Sequence, residues 1–315
     1  MIDVHNLKCF DPTTKAEKLQ RFHESLEYLT YLSGVGRAAA DQRFLAEEEA
    51  QLTDPLAYYD ATIGPNTDIF RMIITHPDMD HMTGLHRIHA QEPRKHILNF
   101  WHTGPHDFNL ASTTDEDWDQ CPYDPRDWET YKQLRAGNGL TSIQQHQGNT
   151  GHFWSDDGVE LWAPTPALET LAEQRQEPNI LSMILKITYK GRSLLLGGDA
   201  TADETWPAIY PKIDMKGISV LKASHHGRKT GYHQPSVAEM SPWLTITSVG
   251  RVEHDATDRY RQYSEYTVSL RRAGNIKITI DDNGKLFYPA GIAAHWKPRI
   301  TSLQTHELAA PKRTA

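Results

Sequence analysis

The chain has 315 residues, 38% of them hydrophobic and 8 of them tryptophan, with 41 acidic against 33 basic side chains for a net charge of -8. That length holds one large domain or two ordinary ones with a sizeable core, and the acidic balance argues against a broad DNA-coating surface, though not against a small basic groove. Two cysteines far apart, Cys9 and Cys121, exclude a disulfide framework and a cysteine-rich zinc module.

"MIDV" reads as a strand at residue 1, with no basic region before an apolar run and hence no signal peptide. The spacing of Leu19, Phe22, Leu26, Leu29 and Leu32 predicts a helix over 15–32 that packs this stripe on a sheet. Residues 33–65 give mixed signals, punctuated by Gly34, Gly36, Pro55, Gly64 and Pro65. "DIFRMIIT" predicts a strand, "HMTGLHRIHA" the start of a helix and "KHILNFW" another strand; 103–128 reads as a long polar loop. Strand signals follow at "VELWAP", "MILKITY", "SLLLGG", "ISVLKAS", "LTITSV", "IKITI" and "KLFYP", with helical stretches near 201–209, 233–240 and 259–272. "YKGR" (189–192) and "DDNG" (281–284) are hairpin signals. Hairpins that interrupt an alternation of strands and helices predict mixed sheets. No stretch reaches membrane-spanning length, so the expectation is a cytoplasmic protein with no membrane partner.

Three strand ends carry unusual chemistry. "THPDMDH" follows "IFRMII" and supplies His76, Asp78, Asp80 and His81. "LLLGGDA" delivers Asp199, and "VLKASHHGR" delivers His225 and His226. Imidazole and carboxylate together suit Zn²⁺, Mn²⁺ or Fe²⁺, whereas an all-oxygen calcium site would not need the histidines. Taken singly, an Asp after a strand is most often a turn or cap residue, and "HHG" is more often a turn than a site. The four charged residues of the first loop are too close together to be buried without a cation. The three segments can hold two divalent ions, with Asp199 bridging.

These residues resemble the metallo-β-lactamase fold, whose first signature is His-x-His-x-Asp-His. "HPDMDH" places Asp78 where the second His stands, a variant similar to the hydrolase domain of the ComEC-type competence proteins and their stand-alone relatives. "NILSMILKITYKGRSLLLGGDA" resembles that family's Asn-x-x-Ser before a hairpin and Gly-Asp after it. "VLKASHHGR" resembles its Leu-Lys-x-x-His-His-Gly-Ser segment, with Arg228 in place of Ser, and "ITSVG" resembles the strand that follows. The resemblance covers roughly 68–290. It implies an αββα sandwich over 1–294 with an insertion near 103–140, and leaves 295–315 as a polar tail. It implies a metal set of His76, Asp78, Asp80, His81, Asp199 and either His225 or His226. The single His expected between the first loop and Asp199 has no clear counterpart; His146 and His152 lie in that interval in a different setting. The fold places two strands before an Asp-x-Gly turn. Here "MIDVHN" stands at the second, which leaves open whether the first is lost, replaced or supplied by a later segment. Asp3 and His5 then fall near the metal loop, and an exposed sheet edge there invites self-association or a partner.

The function this implies is a two-metal phosphodiesterase or nuclease acting on DNA through a metal-activated water, with Zn²⁺ or Mn²⁺ and Asp80 at the centre. Lys222, Arg228 and Lys229 flank the "SHHG" segment and are candidates for phosphate, though a lysine there can equally face solvent. His254 is a candidate general acid, with His233 as a second. Tyr260 and Tyr263, beside Arg259 and Arg261, either line a strand groove or pack an amphipathic helix. His102 follows a strand toward the same rim. Two alternatives stand: a small-molecule hydrolase such as a lactonase or cyclic-nucleotide phosphodiesterase, which the charge of -8 favours and a pocket walled by Trp101, Trp154 or Trp162 would support, and a degenerate binding module.

Overall fold

The computed structural model describes residues 1–5, 12–33, 35–50, 52, 54–90, 96–104, 123–249, 254–273 and 275–288. Residues 105–122 of the expected insertion, the tail at 295–315 and both cysteines lie outside these residues.

Thirteen strands are present among the described residues: β1 Val4–His5, β2 Ile69–Ile73, β3 Met82–Thr83, β4 Ile97–His102, β5 Thr141–Gln144, β6 Val159–Ala163, β7 Ile184–Tyr189, β8 Arg192–Leu196, β9 Ile218–Lys222, β10 Leu244–Thr247, β11 Tyr266–Ser269, β12 Thr279–Ile280 and β13 Leu286–Phe287. They form a six-stranded sheet in the order β11-β10-β9-β8-β7-β6, a three-stranded sheet β2-β4-β5, and the pairs β1-β3 and β12-β13. In the large sheet β6, β7 and β8 are antiparallel neighbours, while β8, β9, β10 and β11 run parallel. The architecture is therefore α/β with a mixed sheet.

By their contacts the residues divide into two compact units, Met1–Met72, Met79–Phe100 and Thr113–Thr141 in one, Ile73–Asp78, Trp101–Ser112 and Ser142–Ala315 in the other. In the first, the expected helix over 15–32 is two helices, Pro12–His23 and Leu26–Leu32. Ser25 breaks it: its hydroxyl donates to the Phe22 carbonyl at 2.7 Å and accepts from Tyr28 N, which caps the second helix. The apolar stripe does not survive the break. Phe22 is buried and stacks on Phe44 of the helix Arg37–Glu49 with ring centroids 4.0 Å apart, whereas Leu26 and Leu29 are 86% and 65% exposed. The three helices pack on one another, with Lys18–Glu48 and His23–Asp41 ion pairs at 2.7 Å.

In the second unit the strands of the large sheet are apolar on both faces. Ile218 and Leu221 of β9 join a core with Trp162, Ile184, Leu195, Trp206 and Met240, and Val220 joins Leu244, Ile246, Val268 and Leu286 in another. Two covered faces explain why "SLLL" and "ISVL" are continuous apolar runs rather than alternations; each buried Leu or Ile contributes about 1.5–3 kcal/mol. Lys190 and Gly191 take φ of 48° and 76° in the β7–β8 turn, the left-handed pair that a two-residue hairpin demands. The stretch 259–272, expected as helix, is instead a helix Thr257–Tyr260, strand β11 and a helix Leu270–Ala273. "YTVS" is rich in β-branched residues and extends the sheet beside β10.

Candidate metal centre

The first loop begins where β2 ends. Ile74 N donates to Trp101 O at 3.1 Å, and Met183 N donates to Thr75 O at 2.9 Å, which fixes the main chain on both sides. His76 is fully buried, with Nδ1 3.1 Å from Thr75 Oγ1. A single 3₁₀ turn, Met79–His81, then carries Asp80 and His81. The Thr83 hydroxyl closes this turn by donating to Met79 O at 2.6 Å. His81 Nδ1 lies 2.8 Å from Asp3 Oδ2. A carboxylate can only accept, so His81 carries a proton on Nδ1, and Nε2 is the ring atom turned toward the cluster. Asp80 Oδ1 is 3.7 Å from that Nε2. Asp3 thus stands beside the metal loop, as expected from its place in the sequence.

Asp199 is reached through Gly197 and Gly198 after β8. A Cβ at Gly197 would sit 2.1 Å from Ser224 Oγ, and Gly198 has φ of 50°, so the turn depends on these two glycines. Asp199 is buried, and its amide donates to Ser182 Oγ at 2.9 Å. The serine of "NILS" therefore holds the backbone of the carboxylate residue. His225, His226 and Gly227 take φ of 48°, 59° and 94° in succession. Left-handed backbone at two non-glycine residues costs on the order of 1–3 kcal/mol each. It is held by bonds from His225 N to Gly198 O at 2.9 Å, Ser248 N to His226 O at 2.6 Å and Ala256 N to Gly227 O at 3.0 Å.

Asp80, His81, Asp199 and His226 each offer one ligand atom, and these four atoms lie within 4.8 Å of one another. The sequence left His225 and His226 as alternatives; the cluster contains His226, whose Nε2 is 3.3 Å from Asp199 Oδ2. His226 Nδ1 is 3.4 Å from Ser248 Oγ, which in turn accepts from Lys222 Nζ at 2.9 Å. His225 Nε2 lies 3.7 Å from Asp199 Oδ2 and 3.4 Å from Arg228 Nη1, while its Nδ1 is 2.9 Å from Thr230 Oγ1. Burial, joined by the charges of Arg228, His226 and His76, pushes the His225 imidazole down to about 4 against the pull of Asp199, so it is neutral at pH 7. In His76, His81, His225 and His226 alike, Nδ1 faces a side-chain oxygen, of Thr75, Asp3, Thr230 and Ser248 in turn, and in His81 and His226 the other ring nitrogen is turned toward a carboxylate of the cluster, an arrangement that suits metal-bound imidazole. His76 and Asp78 are outside the four-atom cluster, which is one candidate site and not two.

The remaining candidates fall elsewhere. Lys222 Nζ donates to Ser248 Oγ at 2.9 Å and to the Ala223 carbonyl at 3.4 Å, and so stands behind the Ser248–His226 contact. The side chain of Arg228 lies against His225 and its backbone bridges to Asp255, next to the exposed His254. His146 is half-buried, 3.9 Å from Glu169, and His152 is exposed, 3.1 Å from Asp156; neither belongs to the four-atom cluster with Asp199. His102 Nδ1 accepts from Gly104 N at 3.0 Å, which puts its proton on Nε2, the reverse of His81. His233 caps the helix Gln234–Met240 by accepting from Ser236 N. Tyr260 is a core residue edge-on to Tyr232, and Tyr263 OH accepts from Gln234, so the strand-groove reading gives way to packing. Trp101 and Trp162 are buried, and Trp154 stacks on Trp101 with ring centroids 4.7 Å apart.

Asp127 escaped the sequence reading. It is fully buried on the helix Pro125–Arg135 and accepts from Gly84 N, His86 N and His86 Nδ1 at 2.8, 2.8 and 2.6 Å. Its only sequence signal was a Pro-Arg-Asp start after Asp124, a helix cap.

No family model matches the sequence, and no curated protein matches it. The mixed sheets and the buried Asp/His cluster define the class: an α/β protein whose site is consistent with a metal-dependent hydrolase. No described helix is long and apolar enough to cross a membrane.

Proposed function

We propose that this chain is a metal-dependent phosphodiesterase or nuclease. The observation that carries the proposal is the convergence of Asp80, His81, Asp199 and His226, with Nδ1 of His81 and His226 turned to Asp3 and Ser248. A divalent ion such as Zn²⁺ or Mn²⁺ supplies Lewis-acid polarisation and an activated water at neutral pH. In this reading Asp80, His81, Asp199 and His226 would hold one ion, and His76 and Asp78 would serve a second. An αββα sandwich of the metallo-β-lactamase kind, as in the ComEC-type hydrolases, is the frame it implies.

The chain's own residues supply the rest. Arg228 brings a planar guanidinium next to the site, suited to two oxygens of a phosphodiester. His254, exposed beside Asp255, is the residue this reading gives the role of proton donor to the leaving oxygen. The test is the metal content of protein purified without chelator, paired with assays on linear DNA, RNA and cyclic dinucleotides. Metal binding with cleavage of linear DNA is the expected result; less than one ion per chain after reloading rejects the proposal. The second reading, a small-molecule hydrolase, is favoured by the net charge of -8 and by the tethering of Lys222 to Ser248. Cleavage of cyclic dinucleotides alone would select it.

A further inference from the structure

The backbone after the metal loop ends in a clamp. Gly84 N and His86 N belong to the start of the helix Leu85–Ala90, where amides have no partner inside the helix. The two oxygens of Asp127 take one amide each, at 2.8 Å, and Oδ1 also takes His86 Nδ1 at 2.6 Å. Asp127 is thus an N-terminal cap supplied from another helix, forty-odd residues away in sequence. It sits in the first turn of its own helix, behind Asp124 and Pro125, where a carboxylate is favoured by the helix dipole.

Only Met82 and Thr83 separate this clamp from His81. Both are tied down: Met82 pairs with Val4 and Thr83 with His5, and Thr83 Oγ1 bonds back to Met79 O. The chain from Asp80 to His86 therefore has little freedom to move, and Asp127 is its distal anchor. We propose that Asp127 is a positioning residue for the metal centre. It acts through the backbone to keep Asp80 and His81 at coordinating separation, without touching the ion. This rests on the metal reading of Asp80 and His81 given above.

Asp127→Asn keeps the shape but offers one acceptor and one donor to two amides that both donate. Metal affinity is read by competition with a chromophoric chelator, using Co²⁺ and Zn²⁺ alone as probes, together with the visible spectrum of the Co²⁺ form. The expected result is an affinity loss of about tenfold, within the range of supporting-residue changes at metal sites, with an altered Co²⁺ spectrum. His86→Asn, which leaves both amide bonds in place, should lose less than about threefold of that range. Phe22→Ala, which removes the ring stacked on Phe44, is the destabilised control and should keep the wild-type affinity. Should Asp127→Asn not fold, hydrogen exchange on the wild-type chain decides: the Gly84 and His86 amides should slow when the ion binds. Wild-type affinity and spectrum in Asp127→Asn, or unchanged exchange at both amides, overturns the proposal. Failure of the wild-type chain to bind metal overturns the metal reading instead.

Discussion

His226 Nε2 stands 3.3 Å from Asp199 Oδ2, and the neighbouring His225 turns its own Nε2 toward Arg228. Two adjacent histidines thus hold different posts. His226→Ala should lower affinity for Co²⁺ or Zn²⁺ by a hundredfold or more, on the order of 3 kcal/mol by the usual tenfold per 1.4 kcal/mol. His225→Ala, at a histidine outside the four-atom cluster, should lower it far less. Titration of each variant against a chelator, read as ions bound per chain, checks this; equal losses in both would refute the division.

Asp3 is the carboxylate behind His81. Asp3→Asn should cost about 10–100-fold in metal affinity, because the proton on Nδ1 loses its charged acceptor. Thermal unfolding of the metal-free protein should move little by comparison. A Kd unchanged from wild type would mean that Asp3 only tethers the chain start.

Asp124 tests the helix that carries Asp127. Its carboxylate caps that helix by accepting from Arg126 N at 2.9 Å, and the Arg126 guanidinium holds it down at about 2 against its ordinary 3.8. A depressed carboxylate stabilises the folded state above its unfolded value. The contribution is therefore complete above about pH 4 and fades as the pH falls toward 2. Asp124→Ala should lower stability by about 1 kcal/mol at pH 7. Urea unfolding of both proteins at pH 7 and pH 2.5 should show that difference shrink in acid.

Gly227 has φ of 94°, and a Cβ there would lie 2.6 Å from the Thr247 side chain. Gly227→Ala should cost about 2 kcal/mol or more through left-handed strain and the clash with Thr247. Because Gly227 follows His226 directly, metal affinity should fall with it. A variant of wild-type Tm and affinity would show that the turn relaxes freely.

The strand ends that carry the site were legible because each is an apolar run that stops at a charged residue: "MIIT" before His76, "SLLLGG" before Asp199 and "VLKAS" before His225. The choice between His225 and His226 was not, since both rings come near Asp199 and only the fold brings His226 into the cluster with Asp80 and His81. The helix over 15–32 was misread because leucine spacing alone does not register Ser25, whose hydroxyl starts a new helix. Strand β11 was misread because four residues between two short helices give no period of their own. Lys222 looked like a phosphate contact because its partner Ser248 is distant in sequence. Asp127 could not be found at all: a buried carboxylate reads as an ordinary first-turn aspartate until Gly84 and His86 are brought to it.

The β7–β8 hairpin has a tip that is exposed on one side and built upon on the other. The amide-free face of Gly284 rests against the Lys190 carbonyl, where a Cβ would come within 2.5 Å, and Arg192 Nε donates to Gly284 O at 2.8 Å. Tyr189 OH donates to Asp282 Oδ1 at 2.7 Å across the same junction. Two tight turns, one from each of two hairpins, are keyed together. Surface turns are ordinarily where a chain accepts added residues. At Lys190–Gly191 even a two-residue epitope would part the tips, pull the Arg192 guanidinium from the Gly284 carbonyl, and loosen the β12–β13 hairpin from the core that Leu286 joins.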